Sequence, residues 1–266
     1  MARSALLNVM VQAALKAGKS LARDFGEVQN LQVSVKGPSD FVSQADLRAE
    51  RIVMEELLKA RPTYGFLGEE SEEIQGTDGA HRWIVDPLDG TTNFLHGIPM
   101  FAVSIALERN GELVAGVIFN PATDELYTAE RGGGAFLNDR RIRVAARKVL
   151  SDCVVGCGVP HLGRGHHGKF LVELRHVMGE VAGMRRMGAA ALDLAYVAAG
   201  RLDGFWETGL SPWDMAAGIL LIREAGGFAS DMNGGSDMFT SGNVLAGNEY
   251  IQKALMEVLH RPVPKA

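Results

Sequence analysis

Cysteine is nearly absent: Cys153 and Cys157 are the only two in 266 residues. Four positions apart on an apolar, strand-like segment puts them ~13 Å from each other, beyond the reach of a disulfide. A disulfide-stapled secreted scaffold is thereby excluded, and two reduced core thiols in a cytoplasmic protein are expected. Positive charge is not in excess either. The formal charge is −5, whereas a nucleic-acid groove ordinarily needs a basic stripe. No apolar run approaches the length of a membrane span. Leu6, Met10, Ala13, Ala17 and Leu21 recur at helical spacing with Arg3, Lys16, Lys19 and Arg23 between them. That is an amphipathic helix rather than a signal peptide. Asp24 and Glu27 speak against a transit peptide. Internal repeats and low-complexity linkers are missing.

What is present is ample apolar material, 47% of the chain, enough for one large domain or two packed halves. After the first helix, residues 31–35 alternate like a strand, and 36–40 read as a loop. A helix follows from about Ala45 to Leu58, then a short strand Tyr64–Leu67 and a polar loop from Ser71 to Ala80. Phe101–Leu107 and Leu113–Phe119 are apolar strands joined through Asn110-Gly111, a strong hairpin signal. Glu125–Thr128 and Arg141–Val144 continue an antiparallel pattern around the turn Arg131–Gly134.

The second half alternates strand and helix. A strand near Val154 leads to a Gly/His loop and a helix from about Lys169 to Met178. A strand near Arg185, a helix Ala189–Ala199 and a strand Gly204–Glu207 follow. A helix Pro212–Glu224, a strand at Val244–Ala246 and a last helix close the chain. The class is α/β, two sheets with helices between and around them.

The most informative stretch is Trp83-Ile84-Val85-Asp86-Pro87-Leu88-Asp89-Gly90-Thr91-Thr92-Asn93-Phe94. An apolar strand runs into two carboxylates, then into a glycine and two threonines that can open a helix. Carboxylates at a strand end attract water or a cation, and free N–H groups at a helix start attract an anion. Metal beside phosphate points to phosphoryl chemistry. Glu69 and Asp214 also sit beside an apolar strand or at a helix start. Two carboxylates ~4 Å apart repel by ~4 kcal/mol at an effective dielectric of 20. Four converge only if protons or cations offset that repulsion. All-oxygen donors without nearby His or Cys point to Mg²⁺, or Mn²⁺ as its mimic. Spacing alone leaves open that the four stay apart on the surface.

Gly68-Glu69-Glu70-Ser71, then Asp86 through Phe94, then Trp213-Asp214-Met215-Ala216-Ala217-Gly218 with Glu224-Ala225-Gly226-Gly227 resemble the motifs of the inositol monophosphatase family. The resemblance runs from about Lys36 to Asn248. It implies a layered αβαβα sandwich like that of fructose-1,6-bisphosphatase, a lithium-sensitive phosphatase and a homodimer. Residues 1–266 then form one catalytic domain. Its first half, to about 150, binds metal and phosphate; the half from about 151 binds substrate and adds the last metal ligand. Glu69, Asp86 and the carbonyl of Leu88 are implied ligands of one Mg²⁺, and Asp86, Asp89 and Asp214 of a second. Gly90 and Thr91 are expected to offer N–H groups to the phosphate. Thr91, paired with Asp46, is expected to orient a metal-activated water whose proton Glu69 accepts. Ala190, Asp193 and Glu207 match positions that meet the hydroxyls of a phosphorylated polyol, myo-inositol 1-phosphate. Read without the resemblance, Asp46 is an ordinary first-turn helix acid, Asp193 a helix-surface acid and Lys36 a solvated charge.

Other readings compete. A haloacid-dehalogenase-type phosphatase needs two aspartates one residue apart, and Asp86 and Asp89 have two residues between them. An EF-hand starting at Asp86 needs an oxygen ligand where Leu88 stands. A related sugar, histidinol or nucleotide phosphatase remains an alternative, as does an accessory partner of the transcription machinery. His161, His166 and His167 read as a loop near the site rather than a metal centre, since adjacent His side chains diverge. Arg185-Arg186 fit a phosphate contact, a strand edge or a dimer interface.

Overall fold

The computed structural model describes residues 3–27, 33–37, 40–161 and 165–262; for 33–37 and 40–43 only the backbone is described. Helix α1 (Ala5–Phe25) is capped by Ser4, whose hydroxyl accepts from the Leu7 N–H. Leu7, Met10, Ala14, Ala17 and Leu21 form its buried stripe, the arrangement an amphipathic helix needs. Strands β1 (Val33–Gly37) and β2 (Asp40–Ser43) pair as an antiparallel hairpin. Of the loop expected at 36–40, Lys36 and Gly37 lie on β1 and Asp40 on β2, while residues 38 and 39 lie outside the described residues. Leu31, part of the expected strand, lies outside the described residues.

Helix α2 (Gln44–Ala60) packs beside α1. A seven-stranded sheet follows in the order β3 (Gly65–Gly68), β4 (His81–Asp89), β5 (Ala102–Arg109), β6 (Glu112–Asn120), β7 (Glu125–Glu130), β8 (Gly134–Leu137) and β9 (Arg140–Arg141). Short α3 (Thr91–Leu95) follows β4 directly. Asn110 and Gly111 both take positive φ at the β5–β6 turn, as the Asn-Gly signal requires. The turn expected at 131–134 is tighter than read, because Gly134 already starts β8, and the strand expected over 141–144 ends at Arg141. The loop from Ser71 to Ala80 is anchored midway, where Ile74 bridges to Phe66.

The second sheet has the order β11 (Gly183–Arg185), β10 (Val154–Cys157), β12 (Gly204–Thr208), β14 (Asn243–Gly247) and β13 (Phe228–Ser230). The periodicity gave no sign of β13 or of the short α7 (Met238–Ser241). Helices α4 (His167–Met178), α5 (Ala190–Ala198), α6 (Pro212–Glu224) and α8 (Glu249–Leu259) fall where helices were expected.

The stacking follows from which faces are apolar. Helices α1 and α2 cover one face of the first sheet; α5 and α6 fill the space between the sheets; α4 and α8 cover the outer face of the second. Three apolar cores result: one between α1, α2 and the first sheet, one running through the middle helical layer to both sheets, and one between the second sheet and α4 and α8. Helix α6 is buried along most of its length, as a helix between two sheets must be. Gly218 lets α6 approach α5, since a Cβ there would stand 2.5 Å from the Leu194 Cβ. Gly218→Ala is accordingly expected to cost about 1–3 kcal/mol through overpacking. An unchanged urea-denaturation midpoint would show that the two helices have room to part.

Candidate active site

The decisive local feature is an irregularity in β4. Asp86 pairs with Ser104 of β5, but the next paired residue, Asp89, faces Ala102, so β4 carries one extra residue there. Strand side chains alternate faces, so residues three apart normally point opposite ways. One extra residue reverses the alternation. Trp83, Val85 and Leu88 lie in the core beneath α1 and α2, whereas Ile84 lies in the core between the sheets. Asp86 and Asp89 thus share the face toward α5 and α6. Pro87 sits at the bulge, where its missing N–H costs no ladder bond.

These carboxylates are held by backbone donors. Asp86 Oδ1 accepts from the Leu88 N–H at 2.9 Å, and Asp89 Oδ2 from the Ala191 N–H of α5 at 2.7 Å. Asp214, in the first turn of α6, accepts from the Ser211 N–H at 2.7 Å. Buried Glu50 of α2 accepts from the Glu70 N–H at 2.9 Å and so fixes the turn that carries Glu69. Nothing in the sequence marks Glu50, because its contribution is a bond to a backbone twenty residues away.

A cavity of about 360 Å³ opens over this floor. The first sheet and its turns bring Glu69, Asp86, Leu88, Asp89, Gly90 and Thr91 to its wall; α5 brings Ala190 and Asp193; β12 brings Glu207 and α6 brings Asp214. Every site residue expected from the sequence lines it except Asp46. Asp46 is 1% exposed, and its Oδ2 lies 3.3 Å from the Thr91 hydroxyl, which also sits 2.9 Å from the Leu88 carbonyl. Asp193 is 2% exposed, which overturns the helix-surface reading. Gly90 takes a φ of +89° ahead of α3, a conformation that favours glycine. A Cβ there would also approach the Met100 carbonyl.

Thr92, Cys157, Gly158, Val159, His161, Arg186 and Leu210 also line the cavity. His161 and Arg186 had been singled out, but nothing in their spacing told where they face. Of the other loop histidines, His166 caps α4 and His167 contacts the His161 carbonyl. Arg185 lies on β11, the edge strand of the second sheet.

The electrostatics are those of crowded acid. Burial raises the Asp86 carboxyl well above the ordinary range, and the charges of Glu69, Asp89, Asp214 and Asp46 push it further. Asp89 is raised by burial and then by Asp214, against the opposing Ala191 hydrogen bond. Asp193 is raised by burial, Glu207 and Asp89, with Arg186 opposing. The Cys157 thiol is pushed up to about 12 by burial and by Asp193 and Glu207, so it stays protonated at neutral pH. Carboxylate oxygens of Asp46, Glu69 and Glu70 lie within 4.8 Å of one another. Hard oxygen donors forced this close fit a divalent cation.

A layered α/β molecule with an acidic cavity beside a helix-opening turn is the arrangement of a phosphoric monoester hydrolase. The inositol monophosphatase family model matches residues 2–266. The inositol-1-monophosphatase of Rhizobium meliloti is 78% identical over 264 residues, covering 99% of both chains. The Nus factor SuhB of Pseudomonas aeruginosa is 45% identical over 263 residues, covering 97% of both. The crystal structure of extragenic suppressor protein suhB from Bartonella henselae superposes with a TM-score of 0.96 at 67% identity, covering 98% of this chain and 100% of that one. The chain belongs to the inositol monophosphatase family.

The raised carboxyls carry a stability prediction. A buried acid whose folded pKa is raised binds more protons folded than unfolded, so it destabilises the fold at high pH and ceases to do so as pH falls through the raised value. In metal-free protein at pH 8, Asp86→Asn or Asp89→Asn should therefore raise Tm by about 2–4 °C per kcal/mol relieved. The gain should shrink toward pH 5. A gain that grew on acidification would contradict the assigned repulsion.

Proposed function

We propose that this protein hydrolyses a phosphate monoester of a polyol, myo-inositol 1-phosphate, with Mg²⁺ as its cation. The observation that carries the proposal is one cavity joining three things: a cluster of buried carboxylates, the Gly90–Thr91 turn, and the acid pair Asp193 and Glu207. Glu69, Asp86, Asp89, Asp214 and the Leu88 carbonyl would hold the cations. Bound there, Mg²⁺ supplies positive charge to the phosphate and makes water easier to deprotonate.

The chain's own groups do the rest. N–H groups in the first turn of a helix have no intrahelical acceptor, so those of Gly90 and Thr91 are available to phosphate oxygens. The Thr91 hydroxyl has one proton and two acceptors in reach, the Leu88 carbonyl and Asp46. When the carbonyl is engaged elsewhere, the proton goes to Asp46 Oδ2, leaving a Thr91 lone pair aimed at the attacking water. Glu69 accepts the proton that this water sheds. Glu207 and Asp193 accept hydrogen bonds from ring hydroxyls, and Ala190 contributes backbone groups. A substrate lacking those hydroxyls would leave the buried Asp193 carboxyl without that bond, which is costly.

Lithium inhibition, a homodimer and a cytoplasmic location belong to the same reading. Both cysteines being free and buried supports the reducing compartment, and no described helix is long and apolar enough to cross a membrane. A second reading, an accessory role in the transcription machinery, is favoured by the likeness to the Nus factor SuhB.

Asp89→Asn should cut turnover by at least about 10²-fold, since it weakens an anchor of the cation cluster. Near-normal phosphate release by that variant would remove Asp89 from the site; restoration of a cellular phenotype by the inactive variant would favour the second reading. Glu207→Gln should raise KM for inositol 1-phosphate by about tenfold, with little change for a simple aryl phosphate. Equal effects on both substrates would take Glu207 out of the polyol pocket. Phosphate release from inositol 1-phosphate, fructose 1,6-bisphosphate, histidinol phosphate and adenosine 3′,5′-bisphosphate, with and without Mg²⁺, ranks the substrates. Activity that persists in full without a divalent cation would overturn the proposal.

A further inference from the structure

A second concavity of about 830 Å³ lies on the outer helical layer, between α1 and α2. Lys16, Lys19 and Arg23 line it from α1, and Arg48, Arg51 and Ile52 from α2. Within each helix the cationic positions are three, four or seven apart, so each set occupies one face. The two cationic faces therefore look at each other across a groove, in a chain whose overall charge is −5. Glu55 is the one carboxylate among the lining side chains.

The partners within the molecule do not neutralise this groove. Asp24 serves both Arg23, at 3.3 Å, and Arg48, at 3.1 Å. Lys16 pairs with Glu56. Lys19 and Arg51 are exposed and have no carboxylate within bonding distance among the described residues. Like charges confined to facing surfaces repel unless an anion sits between them.

We propose that this groove binds a compact, multiply phosphorylated small molecule. On α1 the cationic stripe from Lys16 to Arg23 covers about 10 Å of helix, the extent of two or three neighbouring phosphates, and Arg48 and Arg51 face it from α2. Guanidinium forks match phosphate oxygens two at a time, and lysine adds an unoriented charge. Ile52 gives the floor one apolar contact for the organic part of the ligand. Helix α2 starts with Asp46 in its first turn, so the ligand binds the same helix that sends Asp46 to Thr91. The groove is nonetheless separate from the catalytic cavity, and no lining residue is shared.

The test is calorimetric titration of the full chain, stripped of metal on a chelating resin, with inorganic tripolyphosphate. Without cations the catalytic carboxylates repel anions, so binding reports the groove whether or not the proposed activity is right. Saturable binding that weakens with added salt is expected. Lys19→Gln with Arg51→Gln should weaken it at least about tenfold. Arg140→Gln with Arg143→Gln, which removes equal charge from exposed positions outside the groove, should leave it nearly unchanged. Adenosine triphosphate and fructose 1,6-bisphosphate as separate titrants tell a phosphate chain from phosphates spread over a sugar, and tight binding of one supports the site. Absence of saturable binding, equal losses in both double variants, or sulfate binding as tightly as tripolyphosphate would overturn it.

Discussion

Like-charge repulsion among buried carboxylates is the constraint around which this molecule is arranged. Asp86 and Asp89 stand in a place where a lone charge is expensive and several are worse. The backbone holds them there by directed hydrogen bonds from Leu88 and Ala191, so they do not swing away to water. The fold stores an unfavourable interaction that a cation can relieve, which is how a binding site is paid for in stability.

The bond from the Ala191 N–H to Asp89 has a second consequence. Asp89 ends β4 of the first sheet, and Ala191 is in the first turn of α5, the layer shared by both sheets. Asp214 starts α6 in that same layer. The middle helical layer therefore sets how far the acids on the first sheet stand from Asp193 and Glu207. Gly218 lets α6 pack against Leu194 of α5 within that layer, and Gly116 lets β6 of the first sheet approach Ala217 of α6.

The sequence and the structure agree most closely where one element makes one demand. The Asn-Gly hairpin, the α1 stripe and the span of α6 depend on local periodicity and turn chemistry, and each falls where the pattern put it. Agreement is poorer where pairing alone makes an element. Strands β8 and β13 are short and carry glycine or polar neighbours, so only a partner strand makes them strands. Strand β2 is of the same kind, whereas β1 overlaps the strand expected over 31–35.

Residue types at Glu69, Asp86, Asp89, Gly90, Thr91 and Asp214 pointed to phosphoryl chemistry and hard-cation ligation, while spacing alone left open that the acids stay apart on the surface. Carboxylates at element ends next to a helix-opening glycine have few other uses. The tertiary structure alone decided which side each acid faces. The extra residue in β4 turns Asp86 and Asp89 onto one face, against the alternation that the sequence predicts. Depth was likewise a tertiary matter: Asp193 reads as a helix-surface acid and Asp46 as an ordinary first-turn acid, and only the neighbouring layers bury them. Chemistry belongs to side chains and is written in order along the chain; direction and burial belong to packing, which brings together residues more than a hundred positions apart.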